Sequence, residues 1–172
     1  MDKRTAANLA VKKKITDAVF KLMGDKDIAD ISVTEIIGEA GVARASFYRN
    51  YSSKEDVLLV HIHDILQRFL DGRSPEEVDH RSYEHIVRCF RFFKEYDVYA
   101  LGMYRSNYAT VLLEELNVFH MAIAGNMPTS SIERYSIFTY IGALFNTAIA
   151  WLNGGATESA EEMAHFFLQT LK

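Results

Sequence analysis

The stretch GVARASFYRNYSSKEDVL, residues 41–58, decides the fold. It follows a short apolar run and places one glycine, two arginines and two tyrosines ahead of a second amphipathic run. Two short helices joined by a tight turn that contains glycine form a helix-turn-helix. We therefore predict a helix that ends at Gly41 and a second helix over residues 44–50, which in this motif enters the major groove of DNA.

Helix starts flank this pair on both sides. Residues 32–35 (Ser-Val-Thr-Glu) and residues 52–55 (Ser-Ser-Lys-Glu) each have the capping-box spacing of serine and glutamate. Thr34 and Lys54 would then lie at helix N-termini, where backbone N–H groups already attract anions. We expect both to contact DNA phosphates, with the Tyr48 hydroxyl between them.

The outward face of helix 44–50 would carry the base contacts. The fork of Arg44 matches the two acceptors of a guanine edge, Ala45 can touch a thymine methyl group, and Ser46 can donate to a base or a phosphate. Arg49 and Asn50 also point outward. Each residue alone would be an ordinary surface residue, but their combination favours a nucleic-acid reader in which phosphate contacts hold the register.

The composition predicts an all-α fold. The chain has 172 residues, 49% of them apolar, with only two prolines, and its β-branched residues do not alternate along the chain. The lone Cys89 excludes an internal disulfide and is interpreted as a core thiol. We see no Cys/His spacing typical of a metal site and predict no cofactor. The chain shows no secretory signal pattern, so we expect a cytoplasmic protein.

One uncharged stretch, residues 135–157, is long enough to span a bilayer. Polar residues are scattered through it, and no basic cluster flanks it. We interpret it as a buried helix and expect no membrane association.

The charge is distributed unevenly. Residues 1–54 carry ten Lys and Arg against seven Asp and Glu, whereas residues 55–172 carry nine against sixteen. A basic first third on an acidic body suits a DNA reader with a separate second task. We predict a DNA-binding domain over residues 1–54 and a linking helix with a ligand-binding and dimerisation domain over residues 55–172.

The remaining helices follow from apolar periodicity. The first is expected from Val11 to about Met23, and the helix after residue 54 is expected to end near Asp71 with a turn at residues 73–75. The others bring the total to about nine and are predicted over 83–95, 98–103, 107–124, 132–153 and a last helix opened by Ser159 and Glu162.

At this point the sequence resembles the DNA-binding domain of TetR-family transcriptional regulators. The resemblance covers about residues 8–66 and rests on Thr34-Glu35-Ile36, Gly41-Val42, Ser46-Phe47-Tyr48, Tyr51 and Lys54-Glu55. The segment AWLNGGATESAEEMAHFF, residues 150–167, is similar to the end of the C-terminal domain of small family members.

The resemblance implies three helices for DNA, a fourth as a link and five for regulation. It places base and phosphate contacts at Thr34, Arg44, Ala45, Ser46, Tyr48, Asn50 and Lys54. The chain departs from the family pattern at Asn50, where histidine is frequent, and at Tyr51, where phenylalanine is usual.

A second copy of the chain is the expected partner, since one small helix-turn-helix reads an operator poorly. Apolar residues surround helix 132–153, so one side could pack the core and another a symmetry mate; the resemblance also implies dimerisation through the last two long helices. A wholly intramolecular helix remains the alternative. The predicted dimer residues are Tyr140, Ile141, Leu144, Phe145, Ala148, Trp151 and Phe167.

The middle helices are rich in aromatic residues and methionine, which suits a flat apolar or aromatic ligand. Ordinary core packing is the alternative. The predicted pocket residues are Phe90, Phe93, Tyr99, Met103, Tyr104, Tyr108 and Phe119.

The sequence thus predicts a homodimeric, ligand-responsive transcriptional repressor that binds double-stranded DNA at a near-palindromic operator. The alternative is a TetR-like helical coactivator that works through protein contact. An enzyme ranks last, because no nucleophile–base pair, metal set or phosphate loop stands out.

Overall fold

The computed structural model describes residues 2–70, 79, 81–125, 128 and 130–171. Within these residues the chain forms nine α-helices and one short 3-10 helix, as the composition predicts. The helices are α1 Lys3–Met23, the 3-10 helix Ile28–Asp30, α2 Val33–Ala40, α3 Arg44–Asn50, α4 Lys54–Leu70, α5 Tyr83–Glu95, α6 Asp97–Arg105, α7 Ala109–Ile123, α8 Arg134–Asn153 and α9 Ala160–Thr170.

Helix α1 is longer than its apolar pattern predicts. It begins at Lys3 rather than Val11, because the Asp2 side chain caps it by accepting from the Arg4 N–H. The added N-terminal turns are exposed, so they show no apolar periodicity. Farther along, α1 buries one face against α2, α3, α4 and α6 and becomes the common support of the first helices.

The helix-turn-helix is confirmed with its predicted bounds. Gly41 has φ +61° and ψ 41°, the left-handed conformation that glycine adopts without a Cβ penalty. The Val42 N–H donates to Ile37 O at 3.1 Å, which completes a Schellman-type helix end. This turn sets the direction in which α3 leaves α2.

The two capping boxes predicted on either side of the helix-turn-helix differ in outcome. The box of Ser32 and Glu35 is confirmed. The box predicted for residues 52–55 is wrong by one residue: the Ser53 hydroxyl accepts from the Asp56 N–H, and the Asp56 carboxylate accepts from the Ser52 N–H at 2.8 Å. Tyr51 follows α3 with an extended backbone, and its side chain is buried in the core. The chain therefore needs one more residue before α4 can start. Lys54 is therefore the first residue of α4.

The C-terminal helices pack around a shared core. Helix α5 packs on α9, α7 packs on α8, and α6 contacts α1, α7 and α8. The box that opens α9 at Ser159 is confirmed. The predicted end of α4 near Asp71 and the turn at residues 73–75 lie outside the described residues.

Helix α8 has the length and composition of a membrane span, with a mean hydropathy of 1.2. Half of that apolar window is buried inside the fold. The helix packs on α5, α6 and α7. Its apolar composition is therefore explained by its position as a core helix.

Candidate nucleic-acid interface

The inner face of α3 fixes how the helix sits. Phe47 is fully buried and Tyr51 is 4% exposed, with their ring centroids 5.9 Å apart. Burial raises the pKa of Tyr51, and the neighbouring side chain of the buried Thr16 of α1 acts in the opposite direction. The Tyr51 hydroxyl, which the more usual phenylalanine lacks, thus lies near a polar side chain, and the opposite face of α3 points to solvent.

Arg44 joins the outward faces of α2 and α3. Its guanidinium donates to the Thr34 hydroxyl and to the Tyr48 hydroxyl, each at 3.4 Å. The same guanidinium lies 5.5 Å from the centroid of the Tyr48 ring. The structure therefore brings together three residues predicted for DNA contact, and all three side chains are exposed.

The rest of the predicted α3 face is mixed. Ala45 is exposed, while Ser46 and Asn50 are half-buried. The Asn50 side chain donates from Nδ2 to Ser46 O at 2.8 Å, so one of its two N–H groups is already used within the helix. Arg49 is exposed beside it.

Lys54 has a structural role that its position in the motif does not reveal. Its Nζ donates to Ala29 O at 2.7 Å and to Ile31 O at 2.8 Å, which ties the start of α4 to the 3-10 helix. An ammonium group has three N–H donors, so one remains for another acceptor. Within the described part of the chain, no hydrogen bond links Lys54 to Arg44 or Tyr48.

The acidic groups near this surface are paired. The Glu35 carboxylate forms an ion pair with Lys26 and accepts from the Ser32 N–H, and these hydrogen bonds lower the pKa of Glu35 to about 2. Arg44 and Arg49 have no ion-pair partner among the described residues. Their positive charge therefore remains available to a polyanion.

The predicted ligand residues do not line one pocket. Phe93, Tyr99 and Met103 surround a cavity of about 30 Å³. Phe93 and Phe119 border a second cavity of about 20 Å³. The other three fall outside both walls: Phe90 packs in the core against Trp151, Tyr104 is 43% exposed, and Tyr108 caps the start of α7.

Each of these cavities is about the size of one water molecule, so neither holds a flat ligand as it stands. A much larger open cleft, of about 800 Å³, lies elsewhere. It is bordered by α5, α8 and α9, and Ile86, Tyr140 and Phe167 line it.

The predicted dimer residues lie in the core of the single chain, which corrects their assignment to a surface. Each is at most 6% exposed, so a partner would not meet them: Tyr140, Ile141, Leu144, Phe145, Ala148, Trp151 and Phe167. The unpartnered side of α8 and α9 is formed by other residues. The large exposed apolar side chains of these two helices are Tyr135, Phe138 and Phe166, with Leu171 just beyond α9.

Three possible metal ligands were missed at the level of sequence. His85 and Cys89 lie one turn apart on α5, and α7 brings His120 to them; all three are buried. The spacing of His85 and Cys89 was a usable signal, but His120 is distant in the chain. The expectation that no Cys/His spacing suits a metal site overlooked the four-residue spacing of His85 and Cys89, and the absence of a metal site stays a prediction.

The chain resembles known proteins at two levels. Residues 15–60 match the family model described as bacterial regulatory proteins, tetR family. A comparison of the sequence with curated proteins gives no match.

Solved structures share the fold over nearly the whole chain. A TetR transcriptional regulator from Streptococcus agalactiae 2603V is 20% identical, with a TM-score of 0.69 and coverage of 98% of this chain and 97% of its own. A putative TetR-family regulator from Syntrophomonas wolfei strain Goettingen is 16% identical, with a TM-score of 0.69 and coverage of 95% and 94%. The dihydroxyacetone kinase operon activator DhaS is 16% identical, with a TM-score of 0.60 and coverage of 94% and 93%.

Residues 15–60 thus resemble the domain that this family model describes, and the described chain shares its all-α fold with solved structures of TetR-family transcriptional regulators.

Proposed function

We propose that the protein is a homodimeric, ligand-responsive repressor that reads a near-palindromic operator through α3. The observation that carries this proposal is the position of Arg44, exposed and held between Thr34 and Tyr48 on the outward face of the helix-turn-helix. These contacts pre-orient a guanidinium fork at the place where the motif meets base edges. The DNA-binding domain that carries Arg44 ends at residue 54. Residues 55–172 form the linking helix and the domain that binds the ligand and the second copy of the chain.

The contacts divide into two kinds. Arg44, Ala45 and Ser46 face bases and choose the sequence. Tyr48, Thr34 and the remaining N–H of Lys54 face phosphates, with Asn50 at the rim, and set the register. A protein that works on chromosomal DNA would act in the bacterial cytoplasm.

Binding to operator and to unrelated duplexes tests this division. Arg44→Ala should lower the preference for the operator by about 1–3 kcal/mol, because the bidentate base contact is lost. Tyr48→Phe should weaken binding to all duplexes to a similar extent. The measurement is a fluorescence-anisotropy titration at several salt concentrations, with an operator found by genomic footprinting.

Arg105→Ala is the matched control, since Arg105 is an exposed arginine on α6 in the body of the protein. Equal affinity and equal sequence preference for the Arg44 and Arg105 variants would contradict the proposal. Lys54→Ala needs a thermal melt beside the titration, because it also removes two bonds to the 3-10 helix.

The dimer contact is proposed on the exposed side of α8 and α9. Tyr135 and Phe166 are each 55% exposed and Phe138 is 40% exposed, which is unusual for rings of this size. Two copies related by a two-fold axis would bury these rings in a four-helix contact. The two copies of α3 could then read successive major grooves about 34–36 Å apart.

Phe166→Glu tests this face, because it places a charge in the proposed contact. It should shift the protein from dimer to monomer in sedimentation velocity. Val98→Glu is the control, since Val98 is 62% exposed and lies on α6, which is not part of the proposed contact. A dimer that survives Phe166→Glu would place the interface elsewhere.

For the ligand response, the proposed site is one of the two small cavities, which must open to admit a ligand. The cavity that includes Tyr99 and Met103 is also lined by Phe20 of α1 and His61 of α4. A ligand that enlarges it would move the helices that carry the helix-turn-helix, which is a shift between two dimer geometries. The test is differential scanning fluorimetry against an apolar ligand library, followed by DNA titration with each hit.

A coactivator is the second candidate function. It is favoured by the structural likeness to DhaS, which is described as an operon activator. A reporter assay separates the two candidates. If Arg44→Ala abolishes the effect on transcription, the protein acts through DNA; if the effect persists at full size, it acts through a protein partner.

A further inference from the structure

Three metal-binding side chains meet in the interior between α5 and α7. His85 and Cys89 lie on the same face of α5, four residues apart, and His120 approaches from α7. One ligand atom from each of the three lies within 4.8 Å of the others. All three residues are at most 5% exposed, so the cluster is shielded from bulk water.

The packing around His120 orients its ring. Its Nδ1 lies 2.9 Å from Leu116 O, and a carbonyl oxygen can only accept, so Nδ1 carries the proton. In the neutral ring the lone pair is then on Nε2. A backbone acceptor on the other nitrogen is the usual support of a metal-binding histidine.

There is room beside two of the ligands. Cys89 and His120 both border the cavity of about 20 Å³, which can hold one small ion or one water molecule. The His85 ring is steadied by edge contacts with Phe69 and His120, at centroid distances of 5.5 and 6.0 Å. Apolar side chains form most of the remaining wall.

We propose that His85, Cys89 and His120 bind one thiophilic d10 cation, with Cu⁺ preferred over Zn²⁺. A thiolate with two imidazoles is a donor set that both ions accept. Charge separates them, because one thiolate neutralises Cu⁺ but leaves Zn²⁺ with a net positive charge in an apolar interior, which is costly. The site goes beyond the proposed function and does not depend on it, since binding is measured without DNA.

Binding needs only a small contraction. Metal–ligand distances of about 2.0–2.3 Å require the three donor atoms to be about 3.5–4 Å apart. Side-chain rotation on two packed helices can supply that change. The cation replaces the proton of the Cys89 thiol, which leaves to solvent, and no electron is transferred.

The experiment uses the reduced, full-length protein without oxygen. Competition with a chromophoric Cu⁺ chelator should show one equivalent of Cu⁺ per chain, and the parallel Zn²⁺ titration should give weaker binding. Cys89→Ser and His120→Gln should each lower the Cu⁺ affinity by about tenfold or more. His63→Gln is the control, because His63 is an exposed histidine on α4, and it should bind as the wild type does.

X-ray absorption of the wild-type complex decides the outcome even if a variant does not fold. Cys89 is the only cysteine, so a shell of one thiolate sulfur, as distinct from a methionine thioether, and two imidazole nitrogens would identify the site. No stoichiometric binding of either ion, a shell without sulfur, or unchanged affinity in folded Cys89→Ser overturns the proposal. Tighter Zn²⁺ binding with the same residue dependence would overturn the preference for Cu⁺.

Discussion

The helix-turn-helix and the C-terminal body are held together by contacts of different range. In the helix-turn-helix, Arg44 meets Thr34 and Tyr48, which are near it in the sequence. In the body, Arg91 of α5 pairs with Glu161 of α9, and Phe90 packs on Trp151 of α8. The sequence motif of the first region can therefore be recognised from neighbouring residues. In the second region, the role of a residue depends on which distant helices pack together.

The largest expected effect comes from truncating one buried phenylalanine in the core of each region. Phe47 and Phe90 are both fully buried, so Phe47→Ala and Phe90→Ala should each cost about 3–5 kcal/mol. Phe47→Ala removes the anchor of α3 and should abolish DNA binding while the dimer persists. Phe90→Ala should loosen the body and weaken the dimer. Chemical denaturation with sedimentation velocity checks this; the same loss of dimer in both variants would mean that the regions do not unfold separately.

Replacing Gly41, in the turn between α2 and α3, and Gly38, inside α2, with alanine should change the stability of the protein in opposite directions. Gly41→Ala should cost about 1–2 kcal/mol, because φ is +61° and no neighbouring atom is involved. Gly38→Ala, inside α2, should instead stabilise by about 0.5–1 kcal/mol, since there is space for the added methyl group. Thermal melts of the two variants measure the difference. Destabilisation of similar size by both would show that space, rather than φ, limits this turn.

The smallest expected effect is a pH dependence at the joint between the regions. His61 of α4 packs between Phe20 of α1 and Tyr99 of α6, with centroid distances of 5.5 and 4.3 Å. Burial, with a smaller contribution from the charge of Arg68, lowers the pKa of His61 from 6.5 to about 4. Between these values the unfolded chain binds a proton that the folded chain does not, so stability falls as the pH falls through this window.

The free energy of unfolding should therefore fall between pH 7 and pH 5. This fall should be about 1 kcal/mol larger in the wild type than in His61→Gln, a figure that includes a reduction for solvent screening. Urea denaturation at the two pH values measures it. His165→Gln is the control, because His165 is exposed on α9 and has no ion-pair partner among the described residues, and this variant should keep the wild-type difference. If His61→Gln keeps it as well, other groups cause the pH effect.

Much of the helix-turn-helix could be predicted, because its signals are local. Gly41 marks the turn, and Ser32 with Glu35 marks the start of α2. The start of α4 was missed by one residue because buried Tyr51 extends the chain beyond α3. The contacts of Lys54 with Ala29 and Ile31 had no sequence signal, since they join segments more than twenty residues apart.

The body was predicted less well. Its helices were found from periodicity, and so was the buried side of α5, but the exposed side of α8 was not. Helix α8 is apolar nearly all round, so its pattern does not show which side faces the core. Tyr140 and Trp151 were assigned to a partner, but Tyr140 packs on His120 of α7 and Phe167 of α9, and Trp151 packs on Phe90 of α5.

The sequence by itself determined the all-α class, the Gly41 turn and the residue types on the outward face of α3, because these follow from backbone preferences and spacing within one or two helices. Only the tertiary structure decided which face of α8 is left exposed, how small the interior cavities are, and that His120 meets His85 and Cys89. Those features depend on the packing of helices distant in the chain, and helix periodicity carries no information about which neighbour fills a given side.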